Sequence, residues 1–322
     1  MVESGSILVT PRSFRSINGE HWKKLDASPY EVVRSPYENQ LMSEEEMVEY
    51  VTTREVKGII IGLDPVTREV IESAPELSVV SKYGTGLDNI DLESARKAGI
   101  TVTYTPGTND QSVADLTFGL LLGLARRIPL HQRFLSQGQI KRETGVEIWE
   151  KKLGIVGLGR IGTAVARRAC GFNMEVLYSD IERQPLQENA LDLEYRVFED
   201  LLSESDIVTI HCPLTKETLN LIDEDEFKLM QTEGLLINTA RHELINTSAL
   251  KEALTEGEIA GAAMDTFDDK DNLDEELVEM ENFVASPHAG ASTVESVLRM
   301  ANMATDQCLT VLEGKKPDYP VQ

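Results

Sequence analysis

Lys152-Leu153-Gly154-Ile155-Val156-Gly157-Leu158-Gly159-Arg160-Ile161-Gly162 is the stretch on which the reading of this chain turns. An apolar run of strand type enters a Gly-x-Gly-x-x-Gly turn, and a helical pattern over Ile161 to Cys170 follows. In such a unit Gly157 permits the tight turn and Gly159 lets the backbone approach a pyrophosphate. Gly162 allows close helix–strand packing, and the helix start, with Arg160 and Ile161, faces the anion. Glycine turns also arise for packing reasons, so the motif alone decides little. Its context does more: the next β-type run, Glu175-Val176-Leu177-Tyr178, leads to Asp180, about twenty residues past the glycines. A carboxylate there accepts hydrogen bonds from the ribose hydroxyls and repels a 2′-phosphate, which points to NAD as cofactor. Arg183 lies close by and keeps NADP open.

Working outward, strand and helix patterns alternate along nearly the whole chain. Short β-branched runs recur at residues 7–10, 58–61, 77–80 and 101–104, and a second set at 153–156, 175–178, 206–210, 235–238, 262–264 and 283–285. Helical periods fill the gaps, as in Asp91 to Ala98. Continuous apolar strands alternating with helices imply parallel sheets covered on both faces. The expected fold is α/β with two doubly wound parallel-sheet domains and a cleft between them: a flavodoxin-like substrate domain over 1–105 and 291–322, and a Rossmann NAD domain over 106–290. A helical stretch from Ser112 to about Gln139, with Arg126-Arg127 near its middle, crosses between domains or packs on a second subunit. The last helix, about Thr293 to Glu313, is expected to return to the first domain, making that domain discontinuous.

The 322 residues are enough for two cores without disulfides or metals. Three scattered cysteines (Cys170, Cys212, Cys308) without a CxxC pair argue against a disulfide framework or zinc site and fit a reducing cytoplasm; no metal is expected. Met1 to Gly5 shows no signal-peptide pattern, and the longest apolar stretch, Leu116 to Ala125, is about half of what a bilayer requires. A formal charge of −24 sets the chain against nucleic acid and anionic membranes. It also means that an anionic substrate needs a local concentration of positive charge.

Reducing a 2-oxo acid with a nicotinamide requires a cation to grip the carboxylate and polarise the carbonyl, and a proton donor for the new alkoxide. Arg241 ends the run Leu235-Leu236-Ile237-Asn238-Thr239-Ala240, at the carboxyl edge where ligands bind in such sheets. His288 follows another strand run, in Ser286-Pro287-His288-Ala289-Gly290. An isolated histidine after a strand is usually a loop hydrogen-bonder, and the pairing with Arg241 is what raises its interest.

With these blocks in place the sequence resembles the D-isomer-specific 2-hydroxyacid dehydrogenases, in particular the phosphoglycerate dehydrogenase-like branch, over essentially its full length. The matching stretches are Lys82-Tyr83-Gly84-Thr85-Gly86-Leu87-Asp88-Asn89-Ile90-Asp91, Gly157 to Gly162, His211-Cys212-Pro213-Leu214-Thr215, Asn238-Thr239-Ala240-Arg241 and Ser286 to Gly290. The resemblance implies an NAD-dependent enzyme interconverting a small, multiply anionic 2-hydroxy acid and its 2-oxo acid. It gives Arg241 as the substrate-gripping arginine and His288 as the proton donor. Thr85 and Gly86 become backbone donors to the substrate carboxylate, Lys82 a cation for a second anionic group, and Asn109 a residue facing the substrate. On the cofactor side it adds Asp265 for the nicotinamide carboxamide, Pro213 and Thr218 for the adenine and ribose pocket, and Thr239, Ala240 and Gly290. An arm over about 112–150 implies a homodimer, and no C-terminal regulatory domain is expected beyond Gln322.

One departure matters. The family pairs its histidine with a glutamate in Asp-Val-Phe-x-x-Glu-Pro, whereas this chain reads Asp265-Thr266-Phe267-Asp268-Asp269-Lys270-Asp271-Asn272. An ammonium disfavours a neighbouring imidazolium where a carboxylate would favour it. Three readings stay open. Asp268, Asp269 or Asp271 takes the glutamate's place; Lys270 binds an extra anionic group such as phosphate, phosphonate or sulfonate; or turnover is weak and the chain is an NAD-binding regulatory module. A dehydrogenase of a phosphonate or other non-carboxylate shares the scaffold. His242, where the family usually has glycine, reads as a solvent-facing loop residue.

Overall fold

The computed structural model describes residues 5–38, 40–267 and 273–321. The chain divides into two compact units, residues 1–109 with 292–322, and residues 110–291.

The first unit holds a five-stranded parallel sheet in the order β2-β1-β3-β4-β5. Its strands are β1 (Ser6–Val9), β2 (Glu31–Arg34), β3 (Val56–Ile61), β4 (Val79–Lys82) and β5 (Thr101–Thr103). The inner strands are apolar almost without a break, and Ile7, Leu8, Ile59, Ile60, Ile61, Val79 and Val80 have no exposed surface. Burying each such side chain contributes about 1.5–3 kcal/mol relative to leaving it in water. The C-terminal helix Val294–Leu312 packs in this unit, where the Ala304 carbonyl accepts from Ser81 Oγ at 2.8 Å. β4 runs two residues later than the apolar run 77–80 suggested, which makes Lys82 its last residue.

The second unit holds a seven-stranded parallel sheet, β12-β11-β10-β9-β6-β7-β8. Its strands are β6 (Lys152–Val156), β7 (Glu175–Ser179), β8 (Leu193–Tyr195), β9 (Ile207–Ile210), β10 (Leu235–Asn238), β11 (Gly261–Met264) and β12 (Phe283–Ala285). The order reverses between β6 and β9, so the glycine turn after β6 and the loop after β9 share the switch point where such sheets bind ligands. Separate apolar clusters cover the two faces, one around Leu121, Ile155 and Val165, the other around Leu202, Val208 and Leu250.

The expected single helical stretch from Ser112 to Gln139 is two helices, Asp110–Ala125 and Ile128–Ser136. Arg127 between them adopts φ +52°. Pro129 fits the first turn of the second helix; inside a continuous helix it would lack the N–H owed to the Ala125 carbonyl, which accepts from Val146 N at 2.8 Å instead. Among the described residues no helix is long and apolar enough to cross a membrane.

Candidate functional site

In the second unit, strand register assembles the chemistry. Asn238, Met264 and Ala285 are in line across β10, β11 and β12. Arg241, Asp265 and His288 follow those strand ends by three, one and three residues, and so leave the sheet along one carboxyl edge.

Asn238 shapes the turn to Arg241. Its Oδ1 accepts from Ala240 N at 2.9 Å, and its Nδ2 donates to the Arg241 carbonyl at 2.7 Å. This is a side-chain-closed turn of the kind asparagine favours. Arg241 is half-buried, and its Nη1 donates to the Ala240 carbonyl at 2.7 Å. Thr239 Oγ1 lies 3.1 Å from Thr117 Oγ1.

His288 is half-buried and sits at φ +49°, a backbone conformation disfavoured for a residue with a Cβ. Asp265 holds the loop that imposes it. Its Oδ1 accepts from Ser286 Oγ at 2.6 Å and from Ala289 N at 2.7 Å, and its Oδ2 accepts from Gly290 N at 2.7 Å. The Gly290 carbonyl in turn accepts from Ser112 Oγ at 2.5 Å. Asp265 is 2% exposed; burial pushes its carboxyl up, while those donors and the charge of His288 act the other way. With three bonds made, the carboxylate has room for about one further donor. Its first task is therefore to fix the loop on either side of His288. The signal for this, Ser286 twenty-one residues beyond Asp265, is not readable without the strand pairing.

At the switch point Gly157 has φ +92°, and a Cβ there would stand 2.7 Å from Cys212 N. A Cβ on Gly162 would stand 2.2 Å from the Gly157 carbonyl oxygen. Neither position admits a side chain. Gly159, by contrast, faces open space within 4 Å, directly ahead of the helix Arg160–Ala169, which suits a bulky anion such as a pyrophosphate. Arg160 is exposed and Ile161 half-buried at that helix start. Asp180 Oδ2 accepts from Leu158 N at 2.7 Å, tying the second strand's carboxylate to the glycine turn. After β9, Thr218 Oγ1 donates to the Pro213 carbonyl at 2.8 Å and accepts from Thr215 N at 2.7 Å. His211 in the same loop has its Nε2 at 2.9 Å from Thr209 Oγ1; burial pushes its pKa down to about 3, so it is neutral at physiological pH and no acid–base candidate.

The first unit carries the other expected residues. Lys82 is 3% exposed, and its Nζ donates to the Gly62 carbonyl at 2.6 Å and to Asn89 Oδ1 at 2.5 Å, both neutral oxygens. Thr85 and Gly86 lie on the half-buried turn after β4, anchored where Gly84 N donates to Thr105 Oγ1 at 2.9 Å. Asn109 is 9% exposed, and its Oδ1 is buried without a hydrogen-bond partner, a condition a ligand donor would relieve.

His242, read from the sequence as solvent-facing, is half-buried. Its ring packs 5.8 Å from that of Phe267, and its Nε2 is 3.1 Å from Thr247 Oγ1. The apolar neighbour Phe267 draws the ring inward. Lys270, with Asp268, Asp269 and Asp271, lies outside the described residues.

The family model "D-isomer specific 2-hydroxyacid dehydrogenase, NAD binding domain" matches residues 118–290. The chain is a D-isomer-specific 2-hydroxyacid dehydrogenase. As a member of this family it uses NAD to interconvert a small 2-hydroxy acid and the matching 2-oxo acid. A glyoxylate reductase of Thermococcus litoralis is 42% identical over 82% of this chain and 83% of that protein. A crystal structure of a protein from Thermus thermophilus matches with TM-score 0.87 at 35% identity, over 98% of this dehydrogenase and all of that chain. A D-lactate dehydrogenase of Lactobacillus jensenii, solved with NAD+, matches with TM-score 0.77 at 25% identity, covering 98% and 99% of the two chains.

Proposed function

We propose that this dehydrogenase reduces glyoxylate, or a 2-oxo acid of similar size, with Arg241 gripping the carboxylate and polarising the carbonyl and His288 protonating the new alkoxide. The observation that carries this is the register of β10, β11 and β12, which brings Arg241 and the Asp265-held His288 loop to one sheet edge. The glyoxylate reductase relative supports the substrate's size. The reduced nicotinamide, when bound, supplies the hydride. Gly157, Gly159, Arg160, Ile161 and Gly162 receive the pyrophosphate, Asp180 the adenosine ribose, and Pro213 and Thr218 the adenine side. Thr239, Ala240 and Gly290 border the nicotinamide, where Asp265 has one acceptor position left. The first unit is the substrate domain: Thr85 and Gly86 offer backbone donors to a carboxylate, with Lys82 and Asn109 as further polar contacts.

Following NADH oxidation with glyoxylate, pyruvate, hydroxypyruvate, 3-phosphohydroxypyruvate and the phosphonate and sulfonate analogues of pyruvate tests the reading. Glyoxylate is expected to give the highest kcat/KM. Strong preference for the doubly anionic compounds would transfer the assignment to a multiply anionic substrate with Lys270 as its cation. Silence across the panel with NADH still bound would overturn it.

Self-association belongs to the same proposal. Ile128, Leu135, Ile140, Val146 and Trp149 are 56%, 59%, 86%, 46% and 51% exposed, clustered in sequence on the segment after the Arg127 break. Apolar exposure of that extent on so acidic a protein supports a homodimer formed through this segment. Sedimentation equilibrium should return twice the chain mass, and Ile140→Asp with Trp149→Asp should return the monomer. A monomeric parent would sink the idea.

A further inference from the structure

The loop that follows Asp180 contains a cation that the NAD reading does not use. Arg183 stands three residues past Asp180, between β7 and the helix Pro185–Leu191. An arginine so placed is what dinucleotide sites use to take a 2′-phosphate, through the same forked donors that bind carboxylates. Here one edge of the guanidinium is already taken. Nε donates to Glu188 Oε1 at 3.1 Å and Nη2 to Glu188 Oε2 at 2.9 Å, and the guanidinium carbon lies 5.3 Å from the Tyr195 ring centroid.

The acceptor is the fixed half of this pair. Glu188's side chain is 16% exposed against 61% for Arg183. The buried Tyr178 hydroxyl donates to Glu188 Oε1 and accepts from Gln184 N at 2.8 Å, so one phenol anchors both the carboxylate and the loop backbone. Arg183 first, and Tyr178 second, hold the Glu188 carboxyl below the usual range, so the carboxylate is charged at any physiological pH.

We propose that Glu188, anchored by Tyr178, captures Arg183 and thereby acts as a cofactor-specificity residue that favours NAD over NADP. This rests on the assignment of the adenosine ribose to Asp180. Two effects act in the same direction: the Nε–Nη2 edge of Arg183 is occupied, and the Glu188 carboxylate on the following helix offsets its positive charge. An exposed ion pair by itself contributes little, but bidentate geometry on an anchored acceptor is the case in which it does. A 2′-phosphate offers Arg183 an equally good fork, so the latch sets a preference of about tenfold and not an absolute barrier.

The test is cofactor binding by the full-length protein, read from nucleotide fluorescence with no substrate present. Glu188→Gln keeps an acceptor for Tyr178 while removing the charge that holds Arg183. It should tighten NADPH binding about tenfold and leave the NADH Kd within about twofold, the latter serving as the folding control. Adding Arg183→Ala should abolish the gain. An unchanged NADPH Kd in Glu188→Gln, or a gain that survives loss of Arg183, would overturn the latch while leaving the ribose assignment standing. In a separate arm Asp180→Asn should weaken NADH; if it does not, the ribose assignment fails, and the latch with it.

Discussion

His288→Gln should lower kcat for 2-oxo acid reduction by about 10²–10⁴-fold, the range a positioned general acid contributes, with NADH affinity within about twofold of the parent. Glutamine is similar in reach and can donate a hydrogen bond, but it cannot give up a proton. The Asp265 bonds that hold the loop go to Ser286, Ala289 and Gly290, and all three remain in the variant. The loss should therefore fall on the chemical step and leave the cofactor site intact. Steady-state kinetics beside an NADH titration separates the two. A kcat within about threefold of the parent would remove His288 as the proton donor.

Arg241→Gln should cost about 10²–10³-fold in kcat/KM, the loss seen when one preorganised donor to a developing oxyanion is removed. Arg241→Lys should recover only part of it. An ammonium restores the charge but not the planar fork that meets a carboxylate with two parallel bonds. The turn itself should survive both changes, because Asn238 closes it through main-chain atoms of Ala240 and Arg241. A change confined to KM in the glutamine variant would mean that Arg241 binds substrate without polarising the carbonyl.

Much of this is legible in the sequence. Continuous apolar runs announce buried strands, and the glycine turn with Asp180 announces the nucleotide end. What the sequence concealed lies mainly at the edges. β2 (Glu-Val-Val-Arg) and β8 (Leu-Glu-Tyr) are half-exposed edge strands, so neither shows the unbroken apolar run that marks an inner one. The helix break could have been read from Pro129, yet the leucine-rich periodicity on either side masked it. In the site, residue types were readable and partners were not. Asp265 was readable as a polar group at the cofactor edge, but not as the acceptor for three donors on a loop from the neighbouring strand. Lys82 was readable as a cation beside the substrate turn, but not that its Nζ donates to the Gly62 carbonyl and Asn89 Oδ1. Each depends on which strand lies beside which, information that spacing along the chain does not carry.

The grip of Asp265 has a consequence for how freely this region can drift. Two of its three donors are main-chain amides, which every residue except proline provides, and the third is a single hydroxyl. The attachment thus reads backbone, and is largely blind to the identity of the side chain at Ala289. The side chain at 289 can be exchanged while the imidazole keeps its place, whereas a Cβ at Gly290 would stand 3.0 Å from Asp265 Oδ2 and crowd the carboxylate. Proline at either position would delete an amide that the carboxylate holds.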